Sequence, residues 1–131
     1  MILLDTHVLI WVAAAPRRLS RTARSAIRRS RTAGGISIAS ISLWEIAMLI
    51  SRGRLRVQGT PEAAIREIVE ATGVSIREIT PVIASLSTQF PASFPRDPAD
   101  RLIAATARAE GLPLVTKDKR IRATPLVKTV W

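Results

Sequence analysis

Cysteine is absent from the sequence, so neither a disulfide framework nor a thiolate metal site can exist. Histidine occurs once, as His7, which leaves oxygen donors as the main means of holding a metal ion. No apolar run reaches the roughly 18 residues that a membrane-spanning helix needs. The stretch VLIWVAAA (Val8 to Ala15) looks like a short secretory core. Yet no Lys or Arg precedes it, and Asp5 stands where a positive segment should be. Repeats, low-complexity tracts and linkers are also missing. A soluble, cytoplasmic protein with no membrane segment is expected, and the lack of cysteine is compatible with a reducing compartment.

Acidic residues are scarce as well: ten, against twenty basic ones, for a formal net charge of +10. Only Lys117, Lys119 and Lys128 are lysines, so the excess is almost wholly arginine. Arginine grips phosphate oxygens with a planar fork that lysine lacks, and a small domain this basic is expected to attract a polyanion such as nucleic acid. A genome rich in Arg codons gives the same excess, so charge alone leaves both readings open. With 131 residues, 47% of them apolar, the chain suits one globular domain over residues 1–131.

Short β-type runs alternate with longer helical ones. The pattern predicts strands at Ile2 to Leu4, Ile36 to Ala39, Val74 to Ile79 and Leu112 to Thr116, with a fifth at Leu126 to Val130. Helices are expected over Thr6 to Ala14, from Ser20 to about Arg31, after a cap at Ser40 or Ser42, from Thr60-Pro61 to about Ala71, over Pro81 to Thr88, and from Asp97-Pro98 to Glu110. Such alternation implies right-handed βαβ units. The expected fold is a three-layer α/β/α sandwich around a mostly parallel sheet of four or five strands. In such folds ligands bind beyond the carboxyl ends of the strands.

Four of the scarce acids fall at that edge: Asp5 after the first strand, Glu45 early in the helix after the second, Asp100 in the first turn of its helix, and Asp118 after the fourth strand. Clustered carboxylates repel one another unless a cation compensates. A hard divalent ion such as Mg²⁺ or Mn²⁺ suits an all-oxygen set. Such an ion can acidify a water and neutralise charge on a scissile phosphate. An acidic pocket on a basic body is the layout expected of a nuclease. Simpler duties compete: Asp5 as a dipole partner for its helix, Glu45 as a solvated residue, Asp100 in a capping pair, and Asp118 in a turn. Asp97 is expected to be a helix cap, with a metal-ligand role as the alternative.

Thr6, Thr116, Arg24 and Arg28 are candidate substrate contacts, Thr116 through its hydroxyl and the arginines through the basic helix face. His7 is a minor candidate for a general base. Trp11, Trp44 and Trp131 are expected in the core, not as base-stacking platforms. The flanking Trp44 and Ile46 argue for a buried setting for Glu45.

Together the segments LLDTHVLIW, SIASISLWEIAML and RDPADRLIAATARAEGLPLVTKD resemble the PIN-domain nucleases, most closely toxins of the VapC type. The resemblance spans nearly the whole chain. It implies a helix-flanked parallel sheet, Mg²⁺- or Mn²⁺-dependent endoribonuclease activity, a homodimer, and inhibition by a VapB-like antitoxin. It places the family's acids on Asp5, Glu45, Asp100 and Asp118, as both catalytic and metal-holding residues. Relatives often carry His where this chain has Pro95, and a large apolar residue where it has Ala99, beside the active-site loop. A non-catalytic RNA-binding or regulatory module would explain the arginines but not the acids. An Asp-nucleophile phosphotransfer domain would explain Asp5, but it needs further acids that the neighbouring positions lack.

Overall fold

Ile2–Leu4 (β1), Ile36–Ala39 (β2) and Leu114–Val115 (β4) are the buried strands of a five-stranded sheet, in a computed structural model that describes residues 1–131. Ser75–Arg77 (β3) and Thr129–Val130 (β5) form its edges, giving the order β3-β2-β1-β4-β5. All four pairings are parallel, as the alternating pattern predicts. Strands of a parallel sheet are covered on both faces, which is why these runs are almost wholly apolar, the buried Ser37 donating its hydroxyl to the Ile2 carbonyl. Successive side chains point to opposite faces. Ile2 and Leu4 accordingly join one hydrophobic cluster, with Val8, Leu9 and Ile27, while Leu3 joins another with Ile83, Ile103 and Ile121. The result is the expected α/β/α arrangement.

Helices α1 (Thr6–Ala14), α2 (Arg21–Arg31), α3 (Ile41–Ser51) and α4 (Pro61–Thr72) pack residues against the first cluster. Helices α5 (Pro81–Ser87), α6 (Pro98–Glu110) and α7 (Lys119–Arg122) supply the second. Ser20, Thr60 and Thr80 cap α2, α4 and α5 through their hydroxyls. Gly111 ends α6 at φ 64°, a left-handed turn that suits glycine. None of these helices is long and apolar enough to cross a membrane.

Several expectations needed correction. The third strand stops at Arg77 because its partner β2 ends at Ala39 and turns into α3. The fourth is only Leu114–Val115: the Leu112 N–H closes α6 on the Ala107 carbonyl, and Pro113 has no N–H to pair. The fifth shortens to Thr129–Val130. Ser40 precedes α3 but makes no capping bond, and the Ser42 hydroxyl turns instead to Thr6. Trp44 is not a core residue. It is 54% exposed, and the helix is seated instead by the buried Ile46 with Leu43, Leu49 and Ile50 packed beside it.

Candidate active site

The carboxyl ends of β1, β2 and β4 lie side by side, and each strand leads into a helix. Asp5 follows β1 and caps α1, Glu45 lies in the second turn of α3, and Asp118 follows β4 and caps α7. The start of α6 adds Asp97 and Asp100. All five carboxylates line one cavity of about 380 Å³. Asp5, Glu45, Asp100 and Asp118, picked from the sequence, are thus brought together.

Asp5 is held from two sides. One oxygen accepts the Thr6 N–H (2.8 Å) and the other the buried Thr116 hydroxyl (2.7 Å). Thr116 in turn accepts the Asp118 N–H (3.1 Å), tying the ends of β1 and β4 together. Asp118 accepts the N–H groups of Arg120 and Ile121. Thr6 Oγ1 lies 2.5 Å from Glu45 Oε1 and 2.8 Å from Ser42 Oγ. A hydroxyl has one proton, so Thr6 donates it to the carboxylate and accepts from Ser42. Thr6 and Thr116 therefore orient acids, a more specific place than the substrate contacts expected of them.

Charge is crowded here. Burial pushes the Asp5 carboxyl above its ordinary range, against the lowering effect of the Thr116 and Thr6 hydrogen bonds. Burial also raises Glu45, opposed by the Thr6 hydroxyl and reinforced by Asp5 and Asp97. Asp100 is pushed up to about 7, first by burial and then by Asp5, Asp97, Glu45 and Asp118. A carboxyl in that state is one whose negative charge lacks compensation.

The tightest group is one the sequence reading did not assemble. Oxygens of Glu45, Asp97 and Asp100 all lie within 4.8 Å of one another. Asp97 does cap α6, accepting the Ala99 N–H at 2.9 Å, yet it also faces the two acids. A cap and a ligand look alike in sequence, and only the convergence of α3 on α6 separates them. An all-carboxylate group of this size fits a hard divalent cation. The loop before Asp97 is fastened by Arg101, which donates to the Pro95 carbonyl (2.9 Å) and lies over the Phe94 ring. Ala99 is 1% exposed, so a larger residue there would need a different packing.

Arg24 and Arg28 are not brought to the acids. They border a separate depression between α1 and α2, with Val12 and Ile27. His7 and Trp11 do line the acidic cavity, with Lys117. Trp11 and Trp131 pack on the core as half-buried residues, so the core placement expected for them holds only in part.

The sequence matches the PIN domain family over residues 2–126. The chain belongs to the PIN-domain family. It is 41% identical over 132 aligned residues to Ribonuclease VapC22 of Mycobacterium tuberculosis (strain ATCC 25618 / H37Rv), covering 99% of this chain and 98% of that protein. Among solved structures, this PIN domain is similar in fold to a chain of VapBC2 from Rickettsia felis bound to a promoter DNA fragment. There the TM-score is 0.72 at 17% identity, covering 98% and 97% of the two chains. A chain of DNA-bound VapBC from Salmonella typhimurium gives 0.69 at 19% identity, covering 98% and 97%.

Proposed function

We propose that this PIN-domain chain is an endoribonuclease dependent on Mg²⁺ or Mn²⁺, acting in the cytoplasm as the toxin of a toxin–antitoxin pair. One observation carries the reading: five carboxylates converge on one cavity in a chain of net charge +10. Its relation to a protein named Ribonuclease VapC22 supports RNA as substrate. A non-catalytic RNA-binding module would leave that costly convergence without a purpose.

Glu45, Asp97 and Asp100, with Asp5 and Asp118 beside them, are the residues that would hold the ion. When bound, the ion supplies Lewis acidity at the scissile phosphate and acidifies a water. The chain's own part is orientation. Thr116 and the Thr6 amide fix Asp5, the Thr6 hydroxyl fixes Glu45, and the first amides of α7 fix Asp118. An arrangement set in the fold needs little reorganisation when substrate arrives.

The relatives solved as VapBC complexes support a VapB-like antitoxin as partner. A homodimer is the assembly that accompanies this reading, and the apolar depression between Leu43, Ala47, Ile65 and Val69 offers surface for a second copy.

Of the twenty basic residues, only Arg66 and Arg77 sit in ion pairs, so most of the positive charge is uncompensated and can attract a phosphate backbone. RNA binding is then expected to weaken linearly in log affinity with log salt, and Arg24→Ala with Arg28→Ala to flatten that slope by about one unit each. Filter binding across a salt series measures it. A slope unchanged in the double variant would remove α2 from the RNA surface. The function itself is tested by incubating RNA with the protein. Internal cleavage is expected with Mg²⁺, none in EDTA, and recovery on adding excess Mn²⁺. Cleavage indifferent to EDTA would overturn the metal-dependent reading.

A further inference from the structure

Part of the cavity lining is not acidic. His7, Val8, Trp11 and Lys117 contribute it, and Val8 is only 1% exposed, so Trp11 is its one accessible large apolar surface. The Arg18 guanidinium lies 4.9 Å from the centre of the Trp11 indole, and the Lys117 ammonium 5.9 Å from it. Neither cation has a carboxylate partner among the ion pairs of the chain. Trp131 meets the indole at 5.9 Å with a 57° tilt and braces it. An aromatic ring, the unpaired Lys117 and a carboxylate cluster thus line one cavity, and Arg18 reaches the ring from outside that lining.

We propose that Trp11 is the platform of a nucleobase subsite, seating a base next to the phosphate that is cut. The exposed Arg18 swings off the ring to free it for the base, and Lys117 and Arg18 take the oxygens of the flanking phosphate. The proposal rests on the ribonuclease reading and adds to it a specific contact on the RNA. Each element has a physical reason. Aromatic stacking holds any base, because every base has a π-face. Lys117 is exposed and stands near the outer limit for contact with the ring, so it can swing to a phosphate without losing a strong interaction. A cavity of about 380 Å³ lies within the range that encloses a small ligand. The carboxylates alone would repel RNA, and the cations beside Trp11 offset that at the entrance.

The test uses the Asp100→Asn protein, expected to leave RNA intact, and single-stranded oligoribonucleotides each carrying one abasic position. With Trp11 present, one abasic position should weaken binding on the order of tenfold, about what one stacked base is worth. Trp11→Phe should keep that position-dependence. Trp11→Ala should erase it while the remaining positions bind as before, and Lys117→Ala should weaken all of them alike. A packing role for Trp11 would lower the melting temperature without altering the abasic profile. Should Trp11→Ala fail to fold, Trp11→Leu keeps bulk without a π-face and takes its place. The same profile with and without the aromatic ring would overturn the subsite, as would a flat profile with Trp11 present. Wild-type cleavage measured alongside separates the two claims. RNA cut with a Trp11-independent profile defeats the subsite alone, and RNA bound with a Trp11-dependent profile but never cut defeats the ribonuclease reading alone. Absence of any RNA binding overturns both.

Discussion

Asp100→Asn and Asp5→Asn should each lower Mg²⁺-dependent RNA cleavage by on the order of 10²-fold or more, with the fold unchanged. The amide keeps the shape of each side chain and removes the charge that a divalent ion requires. Asp100 is the cleaner site. Helix α6 is capped by Asp97 through the Ala99 N–H, so neutralising Asp100 takes no cap away. Asp5 is bound by Thr6 and Thr116, and an amide oxygen can still accept from one of them. Circular dichroism establishes the fold and a cleavage time course the activity. Near-wild-type cleavage by both variants would remove these acids from catalysis.

The same substitution at Asp100 should stabilise the metal-free protein. Folding brings together carboxylates that lie far apart in the unfolded chain, and the Asp100 carboxyl rises from 3.8 to about 7. Between those values the folded protein holds a proton that the unfolded chain has released. Stability of the metal-free protein therefore falls as pH rises through that window, and this loss is complete above about pH 7. Asp5 and Glu45, also raised, act in the same direction. In EDTA at pH 8, Asp100→Asn should melt above wild type by the equivalent of a few kcal/mol at most, a rise of about three pKa units being worth roughly 4 kcal/mol before solvent screening is discounted. At pH 4.5, near the bottom of that window, most of the gain should be gone. Mg²⁺ or Mn²⁺ should raise the wild-type melting temperature by mass action and the variant's much less. Asp5→Asn makes a useful comparison, because its lost hydrogen bond works against the gain. Variants that melt below wild type in EDTA, with equal metal shifts for all proteins, would show that the acids do not share one site.

Much of this was legible because local and global signals agree. Thr60-Pro61-Glu62 marks the start of α4 through cap, proline and first-turn acid, and the uniformly apolar Ile2 to Leu4 marks a strand covered on both faces. Strand ends were less legible, since they depend on where the partner stops. Arg77 ends β3 because β2 ends at Ala39. Helix α7 was missed because four residues leave no periodicity, although Asp118 before Lys-Arg-Ile is a capping signal that could have revealed it. Trp44 shows the limit of composition. An aromatic in a largely apolar helix is expected inside, yet the packing of Ile46, Leu43 and Ile50 turns it to the surface.

For the site, strand-end position located Asp5, Glu45, Asp100 and Asp118. It could not reveal that Asp97, besides capping α6, faces Glu45 and Asp100, because that proximity depends on how α3 meets α6. Nor could it separate Arg24 and Arg28 from the cavity, since helical spacing fixes a face and not what that face looks toward.

The most direct measurement follows Mn²⁺ occupancy and RNA cleavage in the same titration, with occupancy read from the paramagnetic signal of free Mn²⁺. Wild-type cleavage should rise in step with Mn²⁺ bound, and Asp100→Asn should weaken both on the order of tenfold or more in metal concentration. Wild-type levels of Mn²⁺ binding by Asp100→Asn, or cleavage that ignores occupancy, would contradict a metal site built from these carboxylates.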